Sequence, residues 1–134
     1  MVRKNPIEHA EHNERVCNFL SKKVEYGDWI ITTAFYSAIH YVRHLMLPGV
    51  FRNGKPCESF EDLFSDQKFL SEGLHGFQLR YVKDNCRPIY IDYKQLHDLC
   101  NTARYVEYNY PREASNQAKG KLEKIKSYVK SVKS

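Results

Sequence analysis

Apolar residues recur three or four apart along most of the chain, and this helical period defines the predicted elements. Ile7, Ala10, Val16, Phe19, Leu20 and Val24 form a broken apolar stripe, while Glu11, Asn13, Glu14 and Lys22 face water. A first helix from Pro6 to about Val24 follows, with Pro6 suited to its opening turn. Tyr26-Gly27 ends it, and Asp28 is the expected N-cap of a second helix. So short a connection makes the two helices antiparallel neighbours. The second helix, about Trp29 to Leu47, is apolar nearly all round, the mark of a buried element.

Pro48-Gly49 interrupts the pattern, and the segment through Pro56 reads as a loop with turn chemistry at Asn53-Gly54. Ser59 is an expected N-cap, with Asp62 at the capping-box position. One or two helical stretches lie between Phe60 and Asp84, interrupted near Gly73 to Gly76. Arg87-Pro88 reads as another break, before a fourth long helix from about Asp92 to Tyr108. Leu96, Leu99, Cys100, Ala103 and Val106 make its apolar face. Pro111 opens a last helix, about Arg112 to Val132, in which Leu122, Ile125, Val129 and Val132 form an amphipathic seam. The pattern contains no repeat and no convincing strand. It predicts one all-α domain over residues 1–134, an up-and-down helical bundle of four to five main helices.

Composition sharpens this in three places. The net charge of +5 is carried entirely by residues 119–134, which hold six Lys and one Glu, so the remainder is neutral. The basic character therefore belongs to the last helix and not to a protein-wide nucleic-acid surface. Cys17, Cys57, Cys86 and Cys100 are widely spaced and include no C-x-x-C pair. With no secretory signal at the start, reduced thiols in a cytoplasmic protein are expected. Finally, the second helix has nearly the length of a membrane span, but His40, Arg43 and His44 lie within it, so the centre of a water-soluble bundle is expected.

Candidate chemistry gathers on two helical stripes. Thr33, Ser37, His40 and His44 follow one side of the second helix. They read either as the wall of a ligand, metal or acid–base groove, or as polar groups satisfied by solvent and neighbours. His40 and His44 have the i, i+4 spacing of a zinc pair, but His40-Tyr-Val-Arg-His44 lacks the Glu of H-E-x-x-H and no third ligand is evident. Neither a metal nor another cofactor is expected. His97, Asn101, Arg104 and Tyr108 share a face of the fourth helix, where Arg104 has the fork and its neighbours the hydrogen-bonding groups to hold a phosphate. If the two stripes face one another, His75 and Arg80 of Leu74-His-Gly-Phe-Gln-Leu-Arg80 close one end of a groove. An ordinary hydrated face is the competing reading of each cluster.

The segment Asp28-Trp-Ile-Ile-Thr-Thr-Ala-Phe-Tyr-Ser-Ala-Ile-His-Tyr-Val-Arg43 resembles the W-A-x-x-A-x-Y-x-A-x-H helix of HEPN domains. Tyr90-Ile-Asp-Tyr-Lys-Gln-Leu-His-Asp-Leu-Cys-Asn-Thr-Ala-Arg-Tyr105 is similar to their Y-x-x-L-x-x-x-x-x-x-A-R-Y helix. His75 and Arg80 stand where one bacterial subgroup carries an H-x-x-x-x-R-like segment. The resemblance spans about residues 6–132, loosely in the first helix and over 48–72. It implies a compact helical bundle, often homodimeric. Many members are metal-independent endoribonucleases of toxin–antitoxin and phage-defence systems; others are non-catalytic binding modules or partners of nucleotidyltransferases. In the nucleases an Arg and a His, with four to six residues between them, act at the dimer interface.

This chain departs from that pattern. Arg104 matches the Arg, but Asn109, Tyr110 and Pro111 occupy the His positions, and the one Arg-x5-His, Arg3 to His9, lies in the first helix. The proton carrier of the family mechanism is therefore missing. The resulting expectation is a non-catalytic or catalytically divergent HEPN-like module. It would bind RNA, a nucleotide or a protein partner, such as a nucleotidyltransferase or a second copy of itself, through His40, His44, His97, Asn101 and Arg104. The alternative is an endoribonuclease that pairs Arg104 with His97 or His40.

Overall fold

The computed structural model describes residues 5–51, 54–67 and 73–133. Its helices are α1 (Pro6–Leu20), α2 (Gly27–Met46), α3 (Phe60–Gln67), α4 (Gly73–Asn85), α5 (Arg87–Tyr105) and α6 (Arg112–Val132), and together they form an all-α bundle. The bundle is arranged around α2, which packs most extensively on α1 and α6 and then on α5; α4 packs on α5. As its nearly unbroken apolar composition requires, α2 contributes more of the core than any other helix, including Ile30, Ile31, Ala34, Phe35, Ala38, Ile39, Tyr41, Val42 and Met46. Leu96, Cys100 and Ala103 of α5 and Leu122, Ile125 and Val129 of α6 pack into the same core. No described helix is long and apolar enough to cross a membrane. All four cysteines are free and buried.

Helices α1 and α2 run antiparallel, with Cys17 beside Ile30 and Ala10 beside Ser37. The connection between them differs from the expectation. Helix α1 stops at Leu20, where Ser21 turns its hydroxyl back to the Asn18 carbonyl at 2.7 Å. A separate 3-10 turn, Val24–Tyr26, runs directly into α2. Asp28 therefore lies inside the first helical turn and is not an N-cap; its carbonyl accepts from the Thr32 hydroxyl at 2.8 Å. Trp29, grouped with the core by pattern alone, is 54% exposed.

After α2 comes a feature the pattern did not indicate, a two-residue antiparallel pairing of β1 (Gly49–Val50) with β2 (Pro56–Cys57). Gly54 adopts φ +75° at the turn, as its lack of a Cβ allows; Asn53 lies outside the described residues. The capping box forms as expected: Asp62 N–H donates to Ser59 Oγ, and Ser59 N–H to Asp62 Oδ2, each at 3.3 Å. Gly73 begins α4 and Gly76 lies within it, so the chain is not interrupted between them; residues 68–72 lie outside the described set. Arg87-Pro88 does not break the chain but begins α5, because proline in a first helical turn forfeits no hydrogen bond. Helix α5 therefore starts five residues earlier than Asp92 and ends at Tyr105, three before Tyr108.

Candidate functional site

The stripe on α2 does not face α5. Ser37 is buried and donates to the Ala10 carbonyl of α1 at 2.7 Å. Thr33 bonds back to the Trp29 and Ile30 carbonyls, and His40 stacks on His9 with ring centroids 3.6 Å apart. His44 lies at the end of α2 near Lys133, whose ammonium donates to the His44 and Leu47 carbonyls. These contacts face α1 and the end of α6, so the expected groove between the stripe and the fourth long helix does not exist. Burial, reinforced by His9 and Arg43, pushes the His40 imidazole down to about 3 and keeps it neutral. His40 therefore serves α1–α2 packing.

The side of α2 that meets α5 carries Thr32, Phe35, Tyr36, Ile39 and Arg43. Phe35 is the hub, with ring centroids 5.5 Å from Tyr93, 5.5 Å from His97 and 6.4 Å from His75. His75 and His97, far apart in sequence, thus flank one phenylalanine. His97 Nδ1 lies 3.0 Å from Asp98 Oδ1. Partial burial against Phe35, then the charges of Arg43 and His97, lower the His75 pKa. Two turns towards the end of α5 from His97, the Arg104 guanidinium lies 5.6 Å from the Tyr36 ring and 5.4 Å from that of Tyr105. Tyr105 is 76% exposed, and Asn101 is also exposed on this helix. Tyr108 lies beyond the helix in the following loop, exposed, so it does not continue the α5 face. Arg80 stacks on Phe77 of its own helix, 5.5 Å from that ring, and does not close the cluster.

Beneath these residues lies a polar bracket that pattern reading missed. Gln78 of α4 is fully buried; its Nε2 donates to the Ile39 carbonyl at 2.9 Å and to the Tyr93 hydroxyl at 3.2 Å. Its Oε1 accepts from Arg43 Nε at 3.0 Å. One amide thereby joins α2, α4 and α5. Gln78 and Arg43 look like ordinary surface residues in sequence; the one available signal was Arg43's place within an otherwise apolar helix. Among the described residues, no three His, Cys, Asp or Glu side chains converge as a metal site would require.

The geometry therefore offers one aromatic and cationic face, His75–Phe35–His97 and Tyr36–Arg104–Tyr105, across α2, α4 and α5. Such a face can stack planar groups and hold anionic ones. Comparison of the chain with family models, with curated proteins and with solved structures finds no match.

Proposed function

We propose that the chain is a HEPN-like helical module, lacking the family's catalytic pair, that binds single-stranded RNA on the α2–α5 face. The observation that carries this reading is Arg104, held against the rings of Tyr36 and Tyr105 beside a largely exposed Tyr105. Two aromatic neighbours pre-order the guanidinium, which can pair with a backbone phosphate while a base stacks on the free face of Tyr105. Trp29 lies two helical turns before Tyr36 on the same side of α2 and offers a second exposed ring. Stacking contributes about 1–3 kcal/mol per base, so Tyr105→Ala should weaken binding of a labelled single-stranded oligoribonucleotide roughly tenfold or more. Arg104→Ala should weaken it and flatten its salt dependence. Fluorescence anisotropy reads both; two correctly folded variants with unchanged affinity would sink the assignment.

A ribonuclease reading is favoured by one observation, the Asp98 carboxylate against His97 Nδ1. That contact orients the imidazole and leaves Nε2 to accept a proton from a ribose 2′-hydroxyl. RNA incubated with the protein in EDTA decides it. Cleavage leaving cyclic phosphate ends, and lost in His97→Ala, supports an enzyme; intact RNA supports a binding module.

A further inference from the structure

The seam between α5 and α6 is not filled by the chain's own side chains. A cavity of about 560 Å³ lies between Pro88, Ile89 and Asp92 of α5 and Gly120, Glu123 and Tyr128 of α6. A second, of about 370 Å³, continues the seam between Gln95 and Thr102 of α5 and Gln117 of α6. From Pro88 to Thr102 the helix rises about 21 Å, the length of roughly six extended residues. Gly120 stands in the middle of α6, although glycine is among the poorest helix formers. Nothing in the chain requires it, since a Cβ there would meet no atom within 4 Å. Its missing side chain instead keeps the larger cavity open on the α6 wall.

The walls of that cavity are of two kinds. Pro88, Ile89 and Tyr128 supply apolar surface, while Asp92 and Glu123 bring a carboxylate from each helix. The Asp92 side chain is 18% exposed, and its cation, Lys124, stands 3.9 Å away on a side chain that is 70% exposed. So long and solvated a pair contributes little, and among the described residues no hydrogen bond reaches the Asp92 carboxylate. Asp98 differs, because Lys94 and His97 both hold it at 3.0 Å. Asp92 is thus the acceptor left for an incoming cation. An apolar recess ending in a carboxylate complements arginine, whose methylene stem lies along apolar walls while its planar head forks onto the acid. The same carboxylates repel the phosphates of a nucleic acid. A small ligand is ordinarily enclosed over most of its surface, whereas this seam is open along one side, as a peptide segment requires.

We propose that the α5–α6 seam docks an extended basic segment of a protein partner. An arginine of that segment sits beside Gly120, with its stem on Pro88, Ile89 and Tyr128 and its guanidinium on Asp92. The seam shares no residue with Tyr36, Arg104 and Tyr105, so the inference does not rest on the RNA reading.

The full chain, labelled with nitrogen-15, is titrated with a capped pentapeptide of alanine and leucine carrying one central arginine. Saturable shifts should appear at the seam, including the amides of Ile89, Asp92, Gly120 and Tyr128. Asp92→Asn, nearly isosteric and without a change of volume, should weaken binding at least fivefold. Gly120→Leu should fill the cavity and abolish binding. Open space at that position and the higher helix propensity of leucine keep this variant folded, which thermal unfolding checks. A peptide with glutamate in place of the arginine should not bind, and one with methionine should bind at least fivefold more weakly. Absence of saturable shifts, equal affinity for the methionine peptide, or unchanged binding in Asp92→Asn or in a folded Gly120→Leu chain overturns the proposal. Seam shifts that arise on concentrating the chain alone, or on adding a single-stranded oligoribonucleotide, identify a second copy or RNA as the occupant and overturn it as well.

Discussion

Replacing Gln78 by leucine tests the polar bracket at the centre of the bundle. The side chain is fully buried and makes three hydrogen bonds, to Arg43 Nε, the Ile39 carbonyl and the Tyr93 hydroxyl. The Ile39 carbonyl loses little, because it lies within α2 and keeps its helical donor. Tyr93 and Arg43 fare worse: a fully buried hydroxyl and a nearly buried cation lose a neutralising dipole together. An orphaned buried polar group costs about 1–3 kcal/mol, and more when charged, so the sum is about 3–5 kcal/mol. Leucine recovers roughly 1 kcal/mol through its apolar surface, leaving a net loss of about 2–4 kcal/mol. That is a large part of the roughly 5–15 kcal/mol that holds an ordinary domain together. Urea unfolding followed by circular dichroism should show a lower midpoint with an unchanged slope. The double variant Arg43→Met/Gln78→Leu should recover at least half of the loss, because it removes the unpaired charge as well as its partner. A single variant within about 0.5 kcal/mol of the parent, or a double variant no better than the single, would refute the reasoning.

Three further outcomes are expected. His40 binds its proton less readily when folded, its pKa being pushed down to about 3, whereas in the unfolded chain it titrates near the ordinary value of about 6.5. Its contribution is therefore present above pH 6.5 and lost as the pH falls towards 3, where the unfolded chain takes up the extra proton; His40→Gln should flatten the decline in unfolding free energy measured between pH 7 and pH 4. Lys133→Met removes the ammonium that joins the end of α6 to the His44 and Leu47 carbonyls, and should reduce stability by about 1–2 kcal/mol with faster amide exchange near Leu47. Leu96→Ala empties a fully buried site on α5 and should cost about 2–5 kcal/mol in urea unfolding, against less than about 0.5 kcal/mol for Ile91→Ala on the exposed side of the same helix.

The contrast between α6 and α2 shows what pattern can and cannot carry. In α6, Leu122, Ile125 and Val129 recur at helical spacing against lysines, and all three are buried, because an amphipathic helix has one way to hide its apolar side. In α2 there is no such asymmetry. An element apolar nearly all round is recognisably central, but its orientation depends on which neighbour takes which side. Its line of Thr33, Ser37, His40 and His44 turned towards α1, where Ser37 meets the Ala10 carbonyl and His40 the His9 ring. The side meeting α5 was carried instead by Phe35, Tyr36 and Arg43, residues that local pattern placed within the buried helix without saying which side they take.

Local chemistry shows the same division. The Ser59–Asp62 box formed where it was expected, since both partners lie within one turn. Pro88 began α5 instead of breaking the chain, because proline is compatible with a first turn as well as with a break, and only packing of the preceding helix selects between them.

By itself, then, the sequence determined that this is an all-helical bundle, that α2 lies at its centre and that α6 lays one apolar seam upon it. Periodicity and near-neighbour hydrogen bonds are local properties that any packing must respect. Tertiary structure alone decided that His75 and His97 meet across Phe35, that Arg104 lies between Tyr36 and Tyr105, and that Gln78 joins three helices around a buried Arg43. Those contacts depend on how each helix is rotated about its axis, which is settled by the sum of many core contacts and is not written at any single position.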